Sequence, residues 1–180
     1  MKSIGIIVGP EVGNEPEAIR QTAEYFGYQV VIKYLGRPND FMQLLRGEDR
    51  LFNRLKTWVL SLHGEDEKFI LPELDPSIYE ENEPRTPIGI EALQGQIKLK
   101  KQLILNTACT LGQASLADLF ISNGAKTYIG ASDYVEGNAA LLFTTRFLYE
   151  WQKGARLQTA FDRAAAVDQE TGLFRLYPSV

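Results

Sequence analysis

Five short apolar runs recur along the chain: IGIIV (4–8), YQVVIKYL (28–35), WVLSL (58–62), LILNTA (103–108) and AKTYIGAS (125–132). Between most of them lie stretches whose apolar residues repeat at helical spacing. Strands that alternate with helices of this length pair in parallel and need cover on both faces. The pattern therefore predicts an α/β fold, a three-layer α/β/α sandwich around a mostly parallel sheet of about six strands. LFRLY (173–177) supplies the last strand.

The first helix carries its own punctuation. Asn14 can cap it, Glu17 stands at the capping-box position, Pro16 falls in the first turn, and Gly27 follows the stripe Ile19, Ala23, Phe26. Pro38 to Leu45, with the segment up to Lys56, places Phe41, Leu44, Leu45, Leu51, Phe52 and Leu55 at helical spacings. Further helices are predicted over 112–123, stopped by Gly124, over 138–152 with Phe143, Phe147 and Trp151 inward, and over 155–167. A chain of 180 residues with this pattern is one domain, 1–180, large enough to bury a core without staples.

One segment departs from the pattern. Residues 65–91 hold nine acids against Lys68 and Arg85, with four of the eight prolines, Pro72, Pro76, Pro84 and Pro87. Prolines at that density break helix and ladder alike, so about 65–95 reads as a short hairpin followed by an irregular acidic excursion.

Net charge of -4, with bases that do not gather into a patch along the chain, gives no reason to expect a nucleic-acid partner. The apolar run at the start is too short for a secretory core or a membrane span, so a cytoplasmic protein without membrane contact is expected. The single cysteine, Cys109, and single histidine, His63, leave no internal disulfide and no multi-cysteine metal site. No metal or other cofactor is implied.

These two singletons share a setting. Each follows an apolar strand, and in parallel sheets functional groups gather at the strand carboxyl ends. A lone cysteine there is commonly a small buried hydrophobe, and a lone histidine a structural residue. Together, on neighbouring strands about 4.8 Å apart, an imidazole and a thiol can meet. The helix predicted to start near Gly112 would turn its positive end toward the sulfur. Gly64, beside the histidine, leaves room for a substrate backbone, and its N–H with that of Cys109 could stabilise an oxyanion. The chemistry this suggests is acyl transfer.

WVLSLHGEDEKFIL (58–71) resembles the caspase-like strand that ends in His-Gly before acids and a hairpin, and LILNTAC (103–109) resembles the next core strand, ending in Ala-Cys. LADLFISNGAKTYIGASDYVEGNAALLFTTRFLYEWQKGARLQTAFDRA is similar to the C-terminal part of the bacterial CHAT branch of that superfamily. The resemblance covers nearly the whole chain. It implies a caspase-like sandwich and a cysteine endopeptidase acting through His63 and Cys109, by way of a thioacyl-enzyme, on a protein or peptide substrate. It also implies that residues 131–136 border the pocket for the residue before the scissile bond, with Asp133 facing a basic side chain. Two features depart from caspases that cut after aspartate. Asn14 and Glu15 replace the arginine of the first loop, and Thr107 replaces the glutamine two before the cysteine.

Two other readings stand beside this one. A catalytically silent caspase-like module would bind a partner through its sheet edge or acidic excursion. A flavodoxin-type binder would use GPEVGNE (9–15), but that loop lacks the G-x-G-x-x-G spacing and carries Glu11 and Glu15 where phosphate would sit. If LFRLY is an open edge strand, two copies could pair across it.

Overall fold

A computed structural model of the protein describes residues 2–178. Its six-stranded sheet runs in the order β2-β1-β3-β6-β7-β8. The strands are β1 (Ser3–Val8), β2 (Gln29–Tyr34), β3 (Thr57–Ser61), β6 (Leu103–Asn106), β7 (Thr127–Ala131) and β8 (Phe174–Pro178). The first five are parallel and β8 is antiparallel to β7. The α/β sandwich predicted from the strand-helix alternation is the fold observed.

The sheet is covered on both faces, as its sequence requires. Along β1, Ile4, Ile6 and Val8 enter one core with β3 Val59, β6 Leu105 and β7 Ile129, packed by α1 (Glu15–Tyr25), α5 (Gly137–Gln152) and α6 (Leu157–Ala165). Ile7 faces the other core with Trp58, Leu60, Ile104 and Tyr128, under α2 (Pro38–Leu45) and α4 (Ala114–Ser122). This is the two-residue period of a strand with both faces buried. Each such side chain, fully buried, contributes about 1.5–3 kcal/mol relative to exposure. Gly5 has a packing reason: a Cβ there would lie 2.6 Å from the Phe52 ring.

Helix ends differ from the sequence reading: α2 stops at Leu45, leaving a single 3-10 turn at Phe52–Arg54 in the stretch up to Lys56, α4 starts at Ala114, and the cap expected at α1 is missing. Asn14 flanks α1 but its side chain makes no cap hydrogen bond. Glu17 instead accepts from Tyr34 at 2.8 Å and from Arg20 at 3.3 Å. Gly27 closes the helix with φ of +91°, its N–H bonded to the Glu24 carbonyl.

His63 opens a hairpin, β4 (His63–Glu65) with β5 (Lys68–Ile70). Beyond it the acidic excursion contains only the four-residue α3 (Ile90–Leu93), yet it is pinned to the domain. The Glu83 carboxylate, fully buried, accepts from Arg37 Nε at 2.9 Å, from the Asn39 N–H at 2.8 Å and from the Glu80 N–H at 2.9 Å. Among the described residues, no helix is long and apolar enough to cross a membrane.

Candidate active site

β3 and β6 are direct neighbours, in register from Thr57↔Leu103 to Leu60↔Asn106. The chain leaving β3 carries His63 and the chain leaving β6 carries Cys109, so both arrive at the same edge of the sheet. They line one cleft of about 770 Å³, with His63 exposed and Cys109 half-buried.

The turn that presents Cys109 is held from beneath. Asn106 Oδ1 accepts from the Ala108 N–H at 3.0 Å, and Asn106 Nδ2 donates to the Tyr128 hydroxyl at 2.9 Å. That hydroxyl donates in turn to the Leu111 carbonyl at 2.7 Å. Burial raises the Tyr128 pKa, so the phenol stays protonated and keeps donating. Thr110, directly after the cysteine, sits at φ +61°, which a β-branched residue rarely adopts. Its N–H is bonded to the Asp133 carbonyl at 3.1 Å, and its Oγ1 accepts from the Glu67 N–H in the hairpin turn. The histidine's hairpin and the cysteine's turn are thereby tied together.

Gly64 completes that junction in a way the sequence did not suggest. A Cβ there would lie 2.2 Å from the Cys109 carbonyl oxygen and 2.9 Å from Leu111. The space expected for substrate is filled by the cysteine's own backbone. Phe69, opposite Gly64, spends both its backbone groups on Ile88. Gly64 and Phe69 are thus a non-hydrogen-bonded pair, and the Gly64 N–H points away from β5. The Cys109 N–H has no hydrogen-bond partner among the described residues.

The imidazole is oriented by backbone. His63 Nε2 lies 3.1 Å from the Glu11 carbonyl oxygen. A carbonyl only accepts, so Nε2 carries the proton and Nδ1 is left as the acceptor in the neutral ring. Glu11 has φ of +59°, and this left-handed residue at the end of β1 aims the carbonyl at the ring.

The sulfur is approached by Val135, whose N–H donates to Sγ at 3.5 Å and whose carbonyl accepts from it at 3.5 Å. The expected helix end is replaced. None of the first residues of α4 lines the cleft, whereas Glu136, Gly137 and Asn138 at the start of α5 do. Asp133 is placed elsewhere: it is exposed, its Oδ1 accepts from the Tyr134 N–H at 2.8 Å, and it does not line the cleft.

The carboxylate that does stand between the two strand ends is Glu15. Its Oε1 accepts from Ser61 Oγ at 2.6 Å and from Thr107 Oγ1 at 2.8 Å, both donors being buried. Among the described residues neither Glu15 oxygen meets a cation. Glu11 and Glu136 also line the cleft, and among the described residues no lysine or arginine does. In sequence Glu15 reads as an acid of the loop after the first strand, since its anchors, Ser61 and Thr107, are distant in the chain. Among the described residues, no three His, Cys, Asp or Glu side chains are grouped so as to hold a metal ion.

No protein-family model matches the chain, and no curated protein matches it.

Proposed function

We propose that the chain is a caspase-like cysteine peptidase that cleaves after a basic residue. The observation that carries the reading is the shared cleft, into which adjacent parallel strands deliver Cys109 and a backbone-oriented His63. The strand order, the antiparallel last strand and the hairpin that follows the histidine support the resemblance already drawn.

Cys109 Sγ attacks the scissile carbonyl carbon and its proton passes to His63 Nδ1. The tetrahedral oxyanion accepts from the Cys109 N–H, which has no other partner, and from the Gly64 N–H. His63 then gives its proton to the leaving amine, and the carbon–nitrogen bond breaks to leave a thioacyl-enzyme. Water, deprotonated by the same imidazole, attacks the thioester and releases Cys109 and the carboxylic acid product. Glu11 is a positioning residue here, because its carbonyl fixes the ring and offsets the imidazolium charge.

Glu15 gives the selectivity. A carboxylate fixed by two hydroxyls, in a cleft that no described lysine or arginine lines, draws a lysine or arginine side chain and repels aspartate. The test is labelling of the purified protein by acyloxymethyl-ketone peptides ending in arginine or in aspartate. The expected result is a thioether on Cys109 from the arginine probe, absent in Cys109→Ala. Failure of both probes to react with wild-type protein would overturn the peptidase reading in favour of a silent interaction module.

A further inference from the structure

The amino edge of the sheet holds a second cavity, of about 820 Å³, which shares no lining residue with the Cys109 cleft. Lysines at strand starts set its rim. Lys2 precedes β1, Lys56 precedes β3, Lys126 precedes β7, and Lys101 stands two residues before β6. Those four strands are consecutive in the sheet, so the lysines stand in a row at strand spacing. Arg54 adds a fifth base, and among the described residues no acid lines the cavity. An adjoining hollow of about 440 Å³ shares Arg54 and Lys56 and adds Arg50 and Lys100. The expectation that bases form no patch is corrected by the fold, which gathers residues scattered along the sequence.

Part of this charge has a structural use. Lys2 donates to the Trp151 carbonyl in the last turn of α5, and Lys56 to the Lys100 carbonyl at 3.1 Å. Arg54, Lys101 and Lys126 have no side-chain hydrogen bond or ion pair among the described residues, while Arg20, Lys33, Arg37, Arg46, Arg146 and Arg163 are all paired with carboxylates. Lys2 is exposed, and partial desolvation holds its ammonium below the ordinary pKa. Leu55, Leu103, Leu157 and the Trp151 ring supply apolar wall. In a protein of net charge -4, this much uncompensated positive charge in one concavity focuses a field that an anion would relieve.

We propose that this cavity binds a phosphorylated small molecule, its phosphates among Lys56, Lys101 and Lys126 and its apolar body against Leu103 and Trp151. The inference is independent of peptidase activity.

Isothermal titration of the full chain with ATP and with inorganic tripolyphosphate, at low and at high salt, tests it. The expected result is saturable ATP binding, tighter than that of tripolyphosphate and weakened by salt. In Lys101→Gln/Lys126→Gln affinity should fall about a hundredfold, about tenfold per lysine, with an unchanged melting temperature. Absence of binding by both probes, or equal ATP binding by the double variant, would overturn the proposal. Tighter binding of a single-stranded oligonucleotide than of ATP would also overturn it, by assigning the surface to a polymer.

Discussion

Gly64 and Glu15 are the residues where single-atom changes are most informative. A methyl group on Gly64 cannot coexist with the Cys109 carbonyl oxygen at 2.2 Å, so Gly64→Ala must push the hairpin and the cysteine turn apart. We expect a folded protein whose Cys109 labelling by the arginine probe slows about a hundredfold, because small displacements of reacting groups cost that much. A ratio near one would show that the junction tolerates movement. Glu15→Gln keeps the shape and an acceptor for Ser61 and Thr107 but removes the charge. Labelling by the arginine probe should fall about tenfold or more while a probe ending in a neutral residue is little affected. Equal loss with both probes would mean that Glu15 supports the cleft rather than selecting for charge. At this scale the sequence was informative about the placement of the two singletons at adjacent strand ends and about little else. His63 and Cys109 are visible because rare residues end apolar strands. Glu15 and the Glu11 carbonyl are not, since their placement comes from partners at the ends of β3 and β6 and from a backbone angle that no residue type announces.

Elements explain how the cleft keeps its form. The segment from Thr107 to Leu111 belongs to no strand or helix, and the Asn106–Tyr128 network takes the place of a ladder under it. Tyr128→Phe would leave the Leu111 carbonyl and the Asn106 amide buried without a partner, a loss of about 1–3 kcal/mol. Denaturant midpoints would register this, and probe reactivity should fall with it because Cys109 lies between the unpaired groups. The acidic excursion is held by a different device. The Arg37 guanidinium, with backbone N–H groups, holds the Glu83 carboxyl at about 2, against an ordinary 4.5. A depressed folded-state pKa stabilises fully above the unfolded value and is lost as pH falls from about 4.5 to about 2. Glu83→Gln should therefore melt about 5 °C below wild type at neutral pH, with the gap closing through that acidic window. A gap independent of pH would assign the effect to packing. Composition marked the excursion as irregular, from its prolines. It did not reveal the anchor, because Glu83 is one acid among nine in that stretch and its partner lies a long way off in sequence.

For the whole molecule, the sandwich was legible because the parallel strands are short, mostly apolar runs that alternate with helical stretches, and both faces of β1 are buried. Charge distribution was not, since a sum of -4 conceals an acid-lined cleft at one end of the sheet and a lysine-rimmed cavity at the other. β3 and β6 each connect the two ends, running from Lys56 toward His63 and from Lys101 toward Cys109. The antiparallel course of β8 adds something practical. Pro178 pairs with Thr127 at the start of β7, on the same edge where Lys2 enters β1. Lys2 and Pro178 thus lie at the lysine-rimmed edge and not at the cleft, so a tag or reporter domain fused beyond either of these residues sets out from that edge. Such fusions should leave the rate of Cys109 labelling unchanged, which a side-by-side comparison with the untagged chain would check, whereas ATP titrations call for untagged protein, since an acidic tag there could occupy the cavity in place of the ligand.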